Sequence, residues 1–274
     1  MEREQKQIKR SSIRRRTFLA QAGILSGLAI NPGVVTADSS EKGFESATDS
    51  GRVTPVSPTV EGKEFEKYAS EMRAKYGSEP TKSLRKRTVS EDDLSTQNLA
   101  GDPDIEGRLI NRTTGRTETD HAEADHIIEV YETDTHRLGR RKYIYWHWSA
   151  ARPFDGWGYY LRDFHNAISH RGDYRLARYS PTETYDTSSG IPITLGIFAG
   201  GDSIGAEAGT RFQLFEDTYG PKPGRTNLSN GEFAVRWTGR YGDAQSIEGF
   251  SVDGRDGFPT YDYDYHFNLE ASRI

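Results

Sequence analysis

Over residues 261–270 the chain alternates without a break, with Tyr261, Tyr263, Tyr265, Phe267 and Leu269 on one side and Asp262, Asp264, His266, Asn268 and Glu270 on the other. Successive side chains of a strand point to opposite faces, so this segment reads as a strand with one face buried and the other wet. A helix could not separate the two sets in this way. The same period of two recurs at His126–Glu132, Tyr143–Trp148, Ile191–Phe198, Phe233–Thr238 and Ser246–Val252. Turn-rich tracts at Gly220–Gly231 and Asp253–Pro259 part the later segments. Half-polar strands separated by Gly and Pro favour antiparallel pairing. The expected fold is mainly β: an antiparallel β-sandwich or curved sheet with one or two packed helices, preceded by a polar N-terminal segment with one helix.

Composition places the core. Mean hydropathy is -0.79, yet 11% of residues are aromatic, which a disordered chain would not carry. Five aromatics (Phe18, Phe44, Phe65, Tyr68, Tyr76) precede Tyr131 and the other 26 follow from it, so the globular unit is expected over 105–274. Cysteine is absent, which excludes disulfides, a thiolate nucleophile, zinc–thiolate sites and iron–sulfur clusters.

Helical spacing appears twice. Phe65, Tyr68, Ala69, Met72 and Tyr76 form one stripe, with Gly77 as cap and Pro80 as stop, predicting a helix over 63–76. Trp157, Tyr160, Leu161, Phe164 and Ile168 keep the same spacing between Asp155 and Gly172, predicting a second helix. Residues 38–61, rich in Ser, Thr, Gly and Pro, read as a flexible linker, so 38–104 is expected to be a polar stalk carrying the first helix. The charged tract from Lys82 to Asp104 reads as loop or a second short helix.

The N-terminus opens with Arg14-Arg15-Arg16-Thr17-Phe18-Leu19, then a short apolar run interrupted by Gln21, Gly23, Ser26 and Gly27, and ends at Val35-Thr36-Ala37. Arg15, Arg16, Phe18 and Leu19 resemble the twin-arginine family of export signals. The resemblance implies a signal over 1–37, passage of an already folded chain through the twin-arginine translocase, and cleavage by a signal peptidase after Ala37. The apolar run is too short and broken for a stable transmembrane anchor, which needs about 20 apolar residues, so the expected location is extracellular or cell-surface. From Asp38 onward 8 Lys stand against 21 Arg with acids in excess, a style similar to exported proteins of halophilic archaea. Residues 1–37 carry seven basic and two acidic side chains, which leaves the remainder at a net charge of -10 against -5 for the whole. Such a surface argues against nucleic acid and anionic membranes as partners. Asn111-Arg112-Thr113 and Asn227-Leu228-Ser229 are glycosylation sequons.

Candidate chemistry is sparse. Gly201-Asp202-Ser203-Ile204-Gly205 fits the Gly-x-Ser-x-Gly elbow of α/β-hydrolases, and its Gly-Asp-Ser core is similar to the first block of GDS-type esterases. That elbow needs a strand before Ser203 and a helix after it, whereas Ala206–Phe215 alternates like a strand. The esterases' downstream Asp-x-x-His is missing too, because Asp262 and Asp264 flank the required position before His266. A Gly-rich hairpin is the expected structure. On a strand His121, Glu123 and Asp125 would share a face and could hold a metal, with His126 turned away and His136 nearby; His165 and His170 fall on the polar side of the second expected helix. Asp253-Gly254-Arg255-Asp256-Gly257 has the flavour of a structural calcium loop, but Arg255 and Gly257 stand where oxygen ligands belong. No other cofactor is expected. If one face of Tyr143–Trp148 is core, then Tyr143, Tyr145 and His147 remain as a contact surface. These features favour a non-enzymatic domain that binds an extracellular glycan or surface protein. The alternatives are a secreted antimicrobial or pore-forming toxin and an extracellular serine hydrolase.

Overall fold

The computed structural model describes residues 36–38, 44–60, 62–87, 97–98, 106–137, 140–155, 158–171, 174–186, 192–195, 210–213, 217–253 and 261–273. The first strands are β1 (Thr36–Asp38), β2 (Phe44–Val53), β3 (Gln97–Asn98), β4 (Glu106–Glu118) and β5 (Ala122–Arg137). Next come β6 (Arg140–Pro153), β7 (Tyr159–His170), β8 (Leu176–Ser180), β9 (Tyr185–Asp186) and β10 (Pro192–Leu195). The last are β11 (Thr210–Gln213), β12 (Asp217–Pro221), β13 (Glu232–Tyr241), β14 (Gln245–Asp253) and β15 (Tyr263–Arg273). The helices are α1 (Gly62–Tyr76) and α2 (Lys82–Arg87). No helix among the described residues is long and apolar enough to cross a membrane.

The fold is mainly β, and among the described residues every strand pairing is antiparallel. One sheet has seven strands in the order β1-β2-β15-β7-β13-β12-β9, the other six in the order β3-β4-β5-β6-β14-β8, and β10 and β11 form a separate pair. The two large sheets stack through their aromatic faces. Tyr145 of β6 meets Tyr263 of β15 edge-on at 5.6 Å, His147 meets Phe233 at 5.1 Å, and the His126 ring lies flat on Phe267 at 4.5 Å. Such pairs add about 0.5–1.5 kcal/mol each beyond the area they bury.

The far side of the six-stranded sheet is covered as well. The α1 stripe Phe65, Ala69, Met72 and Tyr76 is buried. Tyr76 packs edge-on against Trp148, and the Trp148 indole donates to the Pro80 carbonyl. Both faces of β6 are therefore covered, in three layers: helix, six-stranded sheet, seven-stranded sheet.

Two expectations are corrected. The segment expected as a second helix is β7, paired with β13 and β15. Its helical spacing comes from a bulge: Arg162 is an extra residue between Leu161 and Asp163, which oppose the adjacent pair Ala271 and Glu270. The bulge sets Leu161 and Phe164 three apart on one face, and polar Asn166 occupies the inward position between Phe164 and Ile168. The second correction is the linker: residues 44–53 within it form β2, hydrogen-bonded to β15 over ten register pairs. Its small residues make room for rings. A Cβ on Gly51 would stand 2.7 Å from the Tyr265 hydroxyl, and one on Gly115 of β4 would strike the Phe267 ring.

A polar network lies between the sheets. His126 bonds through Nε2 to the Thr117 hydroxyl (2.9 Å) and through Nδ1 to the Ser149 hydroxyl (2.8 Å). The Asn166 amide donates to Ser149 Oγ and to the Ile127 and Trp148 carbonyls, and His147 Nδ1 donates to Asn166 Oδ1 at 3.0 Å. A buried polar group costs little when each partner is present. His170 is among the buried groups that lack one. It stacks on Tyr174 at 4.5 Å, meets Tyr145 edge-on at 4.6 Å, and neither ring nitrogen has a hydrogen-bond partner. The Asp262 backbone lies close enough to favour the protonated ring, short of hydrogen-bond geometry.

Candidate functional site

Alternation and register assemble a site on the outer face of the seven-stranded sheet. Ser50, His266, Ala167 and Ala234 align across β2, β15, β7 and β13, and Arg52, Asp264, Ser169 and Glu232 align in the next row. Ala167 and Ala234 are small, so the centre of this face is a hollow. The loop after β12 folds over it: the Lys222 amide donates to the Ala234 carbonyl at 2.8 Å, and Arg225 reaches the rim. The resulting cavity holds about 240 Å³ and is walled by Ser50, Ser169, Arg225, Glu232, Asp264 and His266, with Ala167 among its floor residues.

Next to the cavity, His266 stacks on His165 with ring centroids 5.4 Å apart. Lys222 Nζ lies 3.0 Å from His165 Nδ1, and the Asp163 carboxylate lies 3.4 Å from the same nitrogen. Burial pushes both imidazoles down to about 4, helped at His266 by Arg225, His165 and Lys222. Burial also lowers Lys222. Burial works to raise Asp163, but His165 and Arg236 outweigh it and hold the carboxyl below its ordinary range. At neutral pH both imidazoles are thus uncharged, Asp163 is held by Arg236, and the Arg225 guanidinium bonds to no described side chain.

The expected catalytic set does not form a relay here. Asp264 is held by Arg171 through two bonds of 2.9 and 3.0 Å, and Asp262 by Arg52, so neither carboxylate orients His266. Ser203 lies outside the described residues. The strands described on either side of it in sequence, β10 and β11, pair antiparallel.

The expected metal set is dispersed. Glu123 and Asp125 do share a face of β5, but that face lies under α1, where Lys75 Nζ sits 2.6 Å from Glu123 and 2.5 Å from Asp125. Arg116 and Arg152 also bond to Glu123, and the Tyr76 hydroxyl donates to Asp125 at 2.6 Å. Burial would raise the Glu123 carboxyl, and these cations outweigh it. His121 lies apart, stacked on Tyr159 at 4.8 Å. Among the described residues no three metal-ligating side chains gather.

The expected contact surface is corrected too: Tyr143, Tyr145 and His147 are 2%, 0% and 0% exposed and face the opposite sheet. Alternation does give β6 two faces, but α1 takes the one assigned to the core and the second sheet takes the other. Asp253 is buried at the end of β14, and the rest of the calcium-like tract lies outside the described residues. Arg15, Arg16, Phe18 and Leu19 also lie outside them, and Ala37 is the middle residue of β1. Asn111 is buried in β4 and Asn227 is exposed.

Sequence reasoning missed Ser50, Ser169, Lys222, Arg225 and Glu232. The polar side of β15 was the available signal, since it already carries Asp264 and His266. No protein-family model matches the chain, and neither does any curated protein.

Proposed function

We propose that this chain is an exported, non-enzymatic binding domain that takes a glycan in the hollow on the outer face of the seven-stranded sheet. The observation that carries this reading is the lining of the hollow: two hydroxyls, two carboxylates, one neutral imidazole and the guanidinium of Arg225, which bonds to no described side chain, around about 240 Å³. A sugar hydroxyl donates one hydrogen bond and accepts two, so it needs donors and acceptors side by side. Arg225 only donates, Glu232 and Asp264 only accept, and neutral His266 does one of each. A carboxylate has about four acceptor positions, so Asp264 can hold Arg171 and still take a ligand hydroxyl. A site for a bare anion would be basic throughout, and a site for a lipid would be apolar. The wall groups stand mainly on strands, which keeps the cost of ordering them on binding low. Export is supported by Arg15, Arg16, Phe18 and Leu19.

The test is calorimetric titration of the mature protein with sugars released from the producing cell's envelope. Arg225→Ala and His266→Ala are expected to weaken binding at least tenfold, with the urea midpoint nearly unchanged. Affinity that survives both substitutions refutes the site. Growth inhibition by the purified protein would favour the toxin, and an ester-cleaving activity lost in Ser203→Ala would favour the hydrolase.

A further inference from the structure

The two sequons stand in opposite environments. Asn111 lies in β4 opposite Val130, 0% exposed, with its side chain in the space between the sheets. Its Oδ1 already accepts from the Thr113 hydroxyl at 3.0 Å, so the hydroxyl that makes it a sequon is consumed within the fold. Reaching this asparagine requires unpairing β4 from β5 and lifting the Thr59–Val60 segment, which is bonded to the Arg112 backbone.

Asn227 is presented to solvent. It precedes the 3-10 turn Leu228–Asn230, and its Oδ1 accepts from the Ser229 amide at 3.0 Å. This Asx turn brings the carboxamide and Ser229 to the same side. The loop is pinned: Asn227 and Glu232 exchange two backbone bonds of 2.9 and 3.0 Å, and Gly231 closes the turn at φ +66°. Asn227 and Ser229 are both exposed, and neither Asn227 Nδ2 nor the Ser229 hydroxyl bonds to a described residue.

We infer that Asn227, and not Asn111, is the N-glycosylation site of this protein, modified after the chain has folded. In the transfer, Asn227 Nδ2 attacks the anomeric carbon of a lipid phosphate- or pyrophosphate-linked oligosaccharide. A C–N bond forms, the C–O bond to the lipid phosphate breaks, the phosphate leaves with the electron pair, and a base on the transferase takes the amide proton. The glycan then stands two residues from Arg225, on the loop that rims the hollow. The inference rests on the export reading, because the transferase acts on the far side of the membrane.

The test is peptide mass spectrometry of the full-length chain expressed with its leader in a host that exports it and glycosylates asparagine, with the culture fractionated. Glycan on nearly every Asn227 and on no Asn111 is expected. Ser229→Ala should abolish it while leaving Asn227 in place and the urea midpoint unchanged. A synthetic peptide spanning residues 108–115, offered to membranes of the same host, should be glycosylated, since burial and not sequence protects Asn111. A secreted chain that is bare at Asn227, or modified at Asn111, overturns the inference and leaves the export reading standing. A peptide that stays bare overturns the burial argument. A chain that remains inside the cell with its leader overturns both readings.

Discussion

Replacing His170 with phenylalanine removes a titrating ring from an enclosure of tyrosines and nearly preserves its shape. At pH 7.5 the wild-type imidazole is neutral, and its two nitrogens are buried without hydrogen-bond partners. Leaving such groups unpaired costs about 1–3 kcal/mol, so His170→Phe is expected to stabilise the protein by about 1 kcal/mol after allowing for the slightly larger ring. Acid widens the difference. Burial pushes His170 down to about 3 from an ordinary 6.5. The unfolded chain takes up the proton as pH falls below 6.5 and the folded chain does not, so wild-type stability declines from there toward pH 3. Between pH 7.5 and pH 5 this one group removes about 2 kcal/mol, at 1.36 kcal/mol per pH unit. The variant escapes that loss, so its advantage should grow from about 1 to about 3 kcal/mol. Every other titrating group is common to both proteins and cancels. Urea unfolding at pH 7.5, 6.5, 5.5 and 5.0, with midpoints converted through a common slope, measures the difference. An advantage that stays constant, or a variant less stable than wild type at pH 5, refutes the reasoning.

Lys75→Met should destabilise by about 3 kcal/mol, because it strips the shared cation from the buried Glu123 and Asp125; hydrogen exchange should show α1 amides exposed first. Asn166→Leu leaves the His147 donor and the Ser149 hydroxyl short of a partner, with an expected loss of about 2–3 kcal/mol by urea unfolding. Gly51→Ala forces the Tyr265 ring aside and should cost about 1–3 kcal/mol, whereas the open Gly77→Ala change should disturb only the left-handed cap at φ +86°.

The strands announced themselves where alternation was clean. β15 buries the aromatic and aliphatic side its alternation marks, with Asn268 of the polar side buried too, and the α1 stripe is buried as its spacing requires. β7 was misleading because one bulged residue turns a period of two into a step of three, and a buried Asn takes a place expected of an apolar side chain. β2 was opaque for a different reason: Gly51 is bare because the Tyr265 ring projects from the neighbouring strand, and a local reading cannot see the neighbour. The hollow was hidden in the same way. Its walls come from β2, β7, β13, β15 and the loop after β12, and only register sets Ser50 beside His266 and Ala167. Alternation alone also cannot say how many layers cover a strand, which is why Tyr143, Tyr145 and His147 looked free.

The pairing of β2 with β15 joins Val53 to Tyr263, across most of the chain. Closing so long a loop is entropically unfavourable before any contact rewards it, and topologies dominated by distant partners fold in milliseconds to seconds. Until β15 docks, β2 and the facing edge of β7 carry open backbone groups, a template for joining another molecule. Refolding from urea should therefore be slow, and its yield should fall as protein concentration rises.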